Sequence, residues 1–400
     1  MDPLRILITN ITLATRTGTE TYVRDLALAL LARGHTPIVY STDLGPIAEE
    51  LRASSVPVVA DLRAVAVRPD VIHGHHHPET MTALLHFAGV PAVFFCHDWV
   101  AWHDEPPRFP RLLRYAAVSL ALRDRLVLQH GISEDRVRLM LNFVDVDRVA
   151  VRAPLPARPA RALVFSNVAT EDNFIATARR ACRSIGAELD VVGASAGKVR
   201  ADPAHLLRHY DLVFATGRSA LEALAVGASV VVCDARGVGP MVTSGELDRL
   251  RELNFGLRVL RDPVTVEALA REIARYDPTD AGVVRNRIRS VASLAAAVDG
   301  LLALYREVIA EHTQQGAADF VGEQQATAAY LRALAPFGLL RAADACARRA
   351  EAERDDLAAR LVRINNSLGG RVLAGYGPIK HRLLLPAYRR LAALFCGEPQ

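Results

Sequence analysis

Four histidines fall within five positions in VIHGHHHPET, at His73, His75, His76 and His77. Imidazoles at that density suit metal binding, proton transfer near neutral pH, or hydrogen bonding to a polar ligand. The spacing argues against the first. HGHHH is not the HExxH pattern of a zinc helix, and neighbouring side chains on a strand point to opposite faces. The stretch reads instead as a polar strand-end loop, with His75 and His77 facing substrate and no metal bound. His97 is the sharper candidate. It directly follows the apolar run PAVFFC and precedes Asp98. It is either a half-buried histidine satisfied by a backbone carbonyl or an acid–base and hydrogen-bonding group beside a reacting centre.

A second constellation is ATGRSALEALAVG, in which Gly217, Arg218 and Ser219 open a helix. A helix amino end offers free N–H groups and partial positive charge, which suits a phosphate, and Arg218 can add a bidentate contact. Glu222, one turn on, is either an exposed helix carboxylate or a group that grips ribose hydroxyls. VVGASAGKVR looks like a P-loop but is one residue short between its glycines. It also has Val199 where Ser or Thr would hold magnesium, so that reading is rejected.

These residues are positioned by alternating elements. LRILITN is a continuous apolar run ending in a polar residue, as in a strand buried on both faces of a parallel sheet. A loop with Gly18 follows, then a helix with Val23, Leu26, Ala27, Leu30 and Leu31 on one face. Thr19 caps its start and Gly34 its end. TPIVYST is the next strand. The alternation continues to Asp147, pauses at the proline-rich VRAPLPARPAR, and resumes, giving two α/β halves with doubly wound parallel sheets. The expected segments are 1–150, 158–283, a single long amphipathic helix beginning at Val284 and closing the core over 284–312, and a helical extension over 313–400. In such sheets ligands bind beyond the carboxyl ends of the strands, which is where the Gly18 loop, the histidines, CHDW and ATGRS lie.

Composition narrows the class. A net charge of +4 over 400 residues is too small to argue for nucleic acid. Of the 48 basic residues all but Lys198 and Lys380 are arginine, so a cationic ligand contact is an arginine. The five cysteines form no CxxC pair and read as buried thiols of a reducing compartment. The amino terminus enters a strand at once, which leaves no signal peptide, and no apolar run is long enough to span a membrane. A cytoplasmic protein is expected.

Together these stretches resemble family 4 glycosyltransferases, along most of residues 4–312. GTETYVRDLALALLARGHTPIVYS is similar to the family's opening loop, first helix and following strand. DVIHGHH and PAVFFCHDW are similar to its central strands. GISEDRVRLMLNFVDVDRV resembles its exit from the first domain, LEALAVGASVVVCD its EAmA.G.PVV element, and ALYREVIAE its terminal helix. The resemblance implies the GT-B fold of two facing Rossmann-like domains. It also implies metal-independent, hexosyltransferase-type transfer of a sugar from a nucleotide-sugar donor, with no further cofactor. By position Gly18 and Thr19 lie near the donor diphosphate, His97 near the transferred sugar, and Glu222 at the ribose. The chain departs from the family where Phe214 stands for the first glutamate of the Glu-x7-Glu pair. It departs again where Ser166 and Asn167 replace a Gly-Arg turn with no lysine following, and where Gly237–Val242 replaces a glycine-rich loop. Arg16, Arg218 and Arg236 are the cations left for the leaving diphosphate. Donor contacts are thus expected from Arg16, Gly18, Thr19, Gly217, Ser219, Arg236 and Gly237, acceptor-side contacts from His75, His77 and Asp98, and catalysis from His97, Arg218 and Glu222.

Beyond residue 313 the pattern is helical, with a break expected near APFG. Arg360–Gly397 interleaves seven basic residues, and no acidic one, with Leu, Tyr and Phe. It reads as either a packed helical hairpin or a basic amphipathic segment for the anionic inner face of a bacterial plasma membrane. Residues 319–366 suit pairing of two chains. The expected acceptor is a glycan or lipid-linked sugar of cell-envelope polysaccharide or glycoconjugate synthesis. The alternatives are a nucleotide-sugar epimerase and a catalytically silent scaffold of the same fold.

Overall fold

The runs LRILIT, DVIHG, PAVFFC, LVFAT and ASVVVCD become buried strands. In the computed structural model, which describes residues 2–16, 18–193, 203–316, 319–366, 376, 379–387 and 389–390, the chain divides into two units, Met1–Ala326 and Thr327–Gln400. The P-loop-like stretch from Ala194 onward and half of Arg360–Gly397 lie outside the described residues.

The first unit contains two lobes. In lobe 1 the order is β1 (Arg5–Thr9), α1 (Gly18–Ala32), β2 (Thr36–Tyr40), α2 (Pro46–Ala53), β3 (Val58–Val59), β4 (Val71–His75), α3 (His77–His86), β5 (Ala92–Cys96), β6 (Leu112–Ala117), α4 (Leu120–Asp124) and β7 (Val137–Leu139). Its seven strands are all parallel, in the order β3-β2-β1-β4-β5-β6-β7. Lobe 2 runs β8 (Arg161–Phe165), α5 (Ala176–Ser184), β9 (Glu188–Val192), α6 (Pro203–Leu207), β10 (Leu212–Ala215), α7 (Gly217–Val226), β11 (Ser229–Asp234), β12 (Gly237–Met241), α8 (Leu247–Glu252), α9 (Val266–Ile273) and α10 (Pro278–Val291). Its sheet order is β12-β11-β10-β8-β9. Both orders reverse direction once, between β1 and β4 and between β8 and β10, which makes each lobe a doubly wound, Rossmann-like sheet. Gly237–Val242, read as a loop from the sequence, contains β12, which pairs antiparallel with β11. Cβ atoms at Gly237 and Gly239 would meet backbone carbonyls of Asp262 and Val259 at 3.0 and 2.7 Å, so these glycines let the edge strand be covered closely.

The helix expected as one rod from Val284 is two. α10 ends at Val291, and α11 (Leu294–Gln315) starts anew, with the Ser293 hydroxyl accepting from the Ala296 N–H. The break is where the chain leaves lobe 2. α10 packs on α7, whereas Val298, Leu301, Leu302, Tyr305 and Val308 of α11 join the core of lobe 1. At the crossing, Val144 donates to the Ala292 carbonyl and accepts from the Leu294 N–H, at 2.9 and 3.0 Å. The two interlobe strands of chain are thus zipped together. The second unit carries most of α12 (Phe320–Asn366), which continues through Pro336 rather than breaking at APFG. No helix of the described residues is long and apolar enough to cross a membrane.

The histidine stretch is not a surface loop. β4 is a central strand covered on both faces and extends through His75, and α3 starts at His77. His73, His75, His76 and His77 are at most 4% exposed. Gly74 allows this packing, since a Cβ there would lie 2.5 Å from the Thr80 side chain of α3. Burial drives the pKa of His73 and His75 well below 6.5, with further lowering by neighbouring imidazoles. Burial takes that of His76 to about 2 and those of His77 and His97 to about 4. All five are neutral when folded and free to charge when unfolded. The unfolded chain therefore binds more protons below pH 6.5, and stability falls as pH drops through that value toward 4. Asp104, which burial raises to about 7, opposes this by roughly one group's worth. Each histidine contributes about 1 kcal/mol or more at pH 5.5. The melting temperature should therefore fall by more than about 10 °C between pH 7.5 and 5.5. A flat profile in calorimetry over that range would contradict the neutral histidine core.

Candidate active site

The carboxyl ends of the two sheets meet at a cavity of about 440 Å³. Lobe 1 supplies His97, Asp98, Trp99 and Ser119. Lobe 2 supplies Thr216, Gly217, Arg236, Asn254 and Arg258, with Leu253 and Leu257 as apolar wall. Of the residues singled out from sequence, His97, Asp98, Gly217 and Arg236 line this cavity.

α7 begins at its wall. Thr216 is extended and makes no side-chain cap, and Gly217 takes φ +56° with open space where a Cβ would stand. The Gly217 N–H is spent on the Phe255 carbonyl. The N–H groups of Arg218 and Ser219 have no partner among the described residues, leaving orphan donors at a helix amino end. Asn254 and Phe255 hold the adjoining turn at φ +54° and +47°, and the Asn254 amide oxygen accepts from Asn142 of lobe 1 at 2.9 Å. Asn tolerates the left-handed conformation better than most residues, the one sequence signal for this turn.

Arg218 itself is committed elsewhere. Its side chain is 12% exposed and bridges the lobes. It pairs with Asp25 of α1, which is 3% exposed, and with Glu222 at 2.9 Å. Asp25 also takes Arg24 at 2.7 Å, Arg24 reaches Glu50, and Glu50 pairs with Arg16. Burial pushes the Asp25 carboxyl up, but Arg218 and Arg24 overcome it and hold it below the ordinary range. The Arg218 guanidinium lies 5.7 Å over Phe143. Arg16, Arg218 and Glu222 therefore sit in one ion-pair chain behind the cavity, not on its wall. The arginines that do line it are Arg236, paired with Asp234, and Arg258, paired with Asp124 of lobe 1 at 2.5 Å and 5.8 Å over Trp99. Arg258 was not legible from sequence, because it lies in a short helical turn that carries no motif.

Of the remaining residues, Gly18 and Thr19 form the first turn of α1, so Thr19 is inside the helix and not its cap. Ser219 and Gly237 lie beside the cavity, not on it. His77 points away, with Nε2 3.2 Å from the Trp102 carbonyl, and His75 is buried behind His97. Phe214 is core. Asp104 fixes the His97 loop by accepting from the backbone N–H groups of His97, at 2.9 Å, and of Asp98. Among the described residues no three His, Cys, Asp or Glu converge as metal ligands. A further cavity of about 520 Å³ lies at the amino ends of β6 and β7. Its arginines are engaged, Arg114 with Glu307 and Glu311, Arg136 and Arg108 with backbone carbonyls.

Residues 16–148 match the model of Glycosyltransferase Family 4. No curated protein matches the chain in sequence. A glycosyltransferase from Rickettsia africae is 15% identical, with a TM-score of 0.57 over 77% of this chain and 99% of its own. Anabaena HepE, solved with UDP and glucose, is 16% identical, with a TM-score of 0.53 over 76% and 100%. A Listeria monocytogenes protein named for UDP-N-acetylglucosamine 2-epimerase activity is 13% identical, with a TM-score of 0.50 over 80% and 100%. The two-lobed unit thus has the GT-B fold, and the chain resembles glycosyltransferase family 4 through its first lobe while departing from that family's pattern at Ser166, Asn167 and Phe214 of the second.

Proposed function

We propose that the protein is a glycosyltransferase that moves a sugar from a nucleotide-sugar donor to a glycan or lipid-linked acceptor. The observation that carries this is the uncapped amino end of α7, opened by Gly217 onto a cavity that His97 faces from the other lobe. In such a transfer the bond from the anomeric carbon to the phosphate oxygen breaks, and an acceptor oxygen bonds to that carbon as its hydroxyl proton passes to Asp98, the carboxylate at hand in the cavity. The nucleoside diphosphate leaves with added negative charge. The N–H groups of Arg218 and Ser219, the helix dipole, and Arg236 and Arg258 are the donors available to it. Arg218 acts as a positioning residue, holding α7 to lobe 1 through Asp25, and Glu222 steadies it from the next turn of the helix. Asp98 is the one carboxylate among the described cavity-lining residues and stands on the acceptor side. A single carboxylate favours transfer over the epimerase reading, which would draw on a set of them. That HepE was solved with UDP and glucose makes UDP-sugars the first donors to test.

The extension is proposed to serve location and assembly. α12 leaves Leu331, Leu357, Leu361 and Val362 more than half exposed, a surface for a second copy. The basic segment 360–397 is read as binding an anionic membrane surface.

A panel of nucleotide sugars should include one that raises the melting temperature and slowly releases free nucleotide. Gly217→Val, whose side chain would be strained at φ +56° and cover the helix end, should weaken that donor about tenfold or more with the fold intact. No shift with any nucleotide would turn the reading to a silent scaffold. The full-length chain should sediment with vesicles of anionic lipid at low salt and release at high salt. Equal binding to neutral vesicles would contradict the electrostatic reading.

A further inference from the structure

A file of buried polar rings runs from the core to the cavity. Tyr305 of α11 lies with its hydroxyl 2.5 Å from His73 Nδ1. His73 Nε2 is 2.8 Å from His75 Nε2, and His75 Nδ1 is 2.7 Å from His97 Nε2. His73 and His75 are two apart on β4 and share a face. His97 stands two beyond Phe95 on β5, the residue paired with His75. His73 stacks on Phe95 at 4.0 Å, and Tyr22 closes the file with its ring 5.2 Å from both His75 and His97.

We propose that Tyr305 sets the tautomer of His97 through His73 and His75, so that His97 presents the cavity with an N–H donor at Nδ1. The reasoning starts at the buried end. Tyr305 is fully buried, and among the described residues its hydroxyl has one partner, His73 Nδ1. A phenol proton with no acceptor would be a costly buried unsatisfied donor, so it is donated to His73. His73 Nδ1 is then the acceptor. Each contact between neutral rings needs one donor and one acceptor, so the rest follows in order. His73 donates from Nε2 to His75, and His75 donates from Nδ1 to His97 Nε2. The proton of His97 is left on Nδ1. Burial keeps the three imidazoles neutral at pH 7, so no ring holds a second proton that would break the sequence. The phenol is 232 positions from His73 in the chain, and it arrives only because the last core helix returns to lobe 1.

A ring with Nδ1–H toward the cavity donates to oxygen and does not take a proton. On the transferase reading, from which this consequence follows, His97 is a hydrogen-bond donor to the sugar or to an oxygen gaining charge, and not the base for the acceptor hydroxyl. The tautomer itself does not depend on that reading.

The test is long-range proton–nitrogen NMR on full-length protein labelled with ¹⁵N-histidine at pH 7, without ligand. His97 should show a protonated Nδ1 and an unprotonated Nε2. Tyr305→Phe removes one atom and the bias it imposes, and His75→Gln cuts the file without touching α11. In each, the two nitrogen shifts of His97 should move toward one another as both tautomers populate. A wild-type His97 protonated at Nε2 or on both nitrogens would overturn the proposal, as would a His97 pattern unchanged in both variants. Donor binding measured on the same samples is read separately. Its absence alongside the expected nitrogen pattern counts against the transferase and leaves the relay standing.

Discussion

The buried ion pair between Arg218 and Asp25 is the constraint on which the site depends. It is the inner member of a chain of alternating charges, from Arg16 through Glu50, Arg24 and Asp25 to Arg218 and Glu222, that passes from one lobe to the other. Removing one partner of such a pair leaves the other charge buried and costs about 3–5 kcal/mol, so the lobes are held at a defined juxtaposition. Arg218 is also the second residue of α7. Whatever anchors its side chain anchors the helix amino end, which Gly217 opens onto the cavity, and with it the two N–H groups beside that opening that have no partner among the described residues. Arg258 with Asp124 and Asn142 with Asn254 repeat the lobe-to-lobe contact on the opposite rim.

Most of the fold was readable because parallel strands announce themselves as continuous apolar runs and their helices as amphipathic ones. The departures from that reading have separate causes. The histidines read as a strand-end loop because polar residues are rarely buried; here His73 and His75 pair with each other, Tyr305 and His97, and His76 and His77 with backbone groups, which a linear pattern cannot show. The Val284–His312 stretch keeps one apolar period across Ser293, so nothing marks the point where the chain changes lobes. β12 hides in Gly-Val-Gly-Pro-Met because its glycines serve close packing and not a turn.

The site was half legible. His97, Asp98, Gly217 and Arg236 reach the cavity as their places after strands suggested. Arg218 and Glu222 looked like ligand-binding groups because their partner, Asp25, lies 193 positions away and appears only as one more polar residue on α1. Arg258 and Asn254 carried no signal beyond a left-handed turn. From sequence His97 is either a satisfied half-buried histidine or a hydrogen-bonding or acid–base group; the rings behind it, and Tyr305 behind them, favour a fixed hydrogen-bond donor. Both lobes supply side chains to the cavity, and the returning helix reaches it through the file of rings that ends at His97.

The most direct measurement is a crystal structure of the protein with an intact or non-hydrolysable nucleotide sugar. The expected result places the diphosphate within hydrogen-bonding distance of the Arg218 and Ser219 backbone N–H groups, the sugar toward His97, and the Arg218–Asp25 pair unbroken. Phosphates bound away from α7, or an Arg218 side chain swung off Asp25 to hold them, would contradict it.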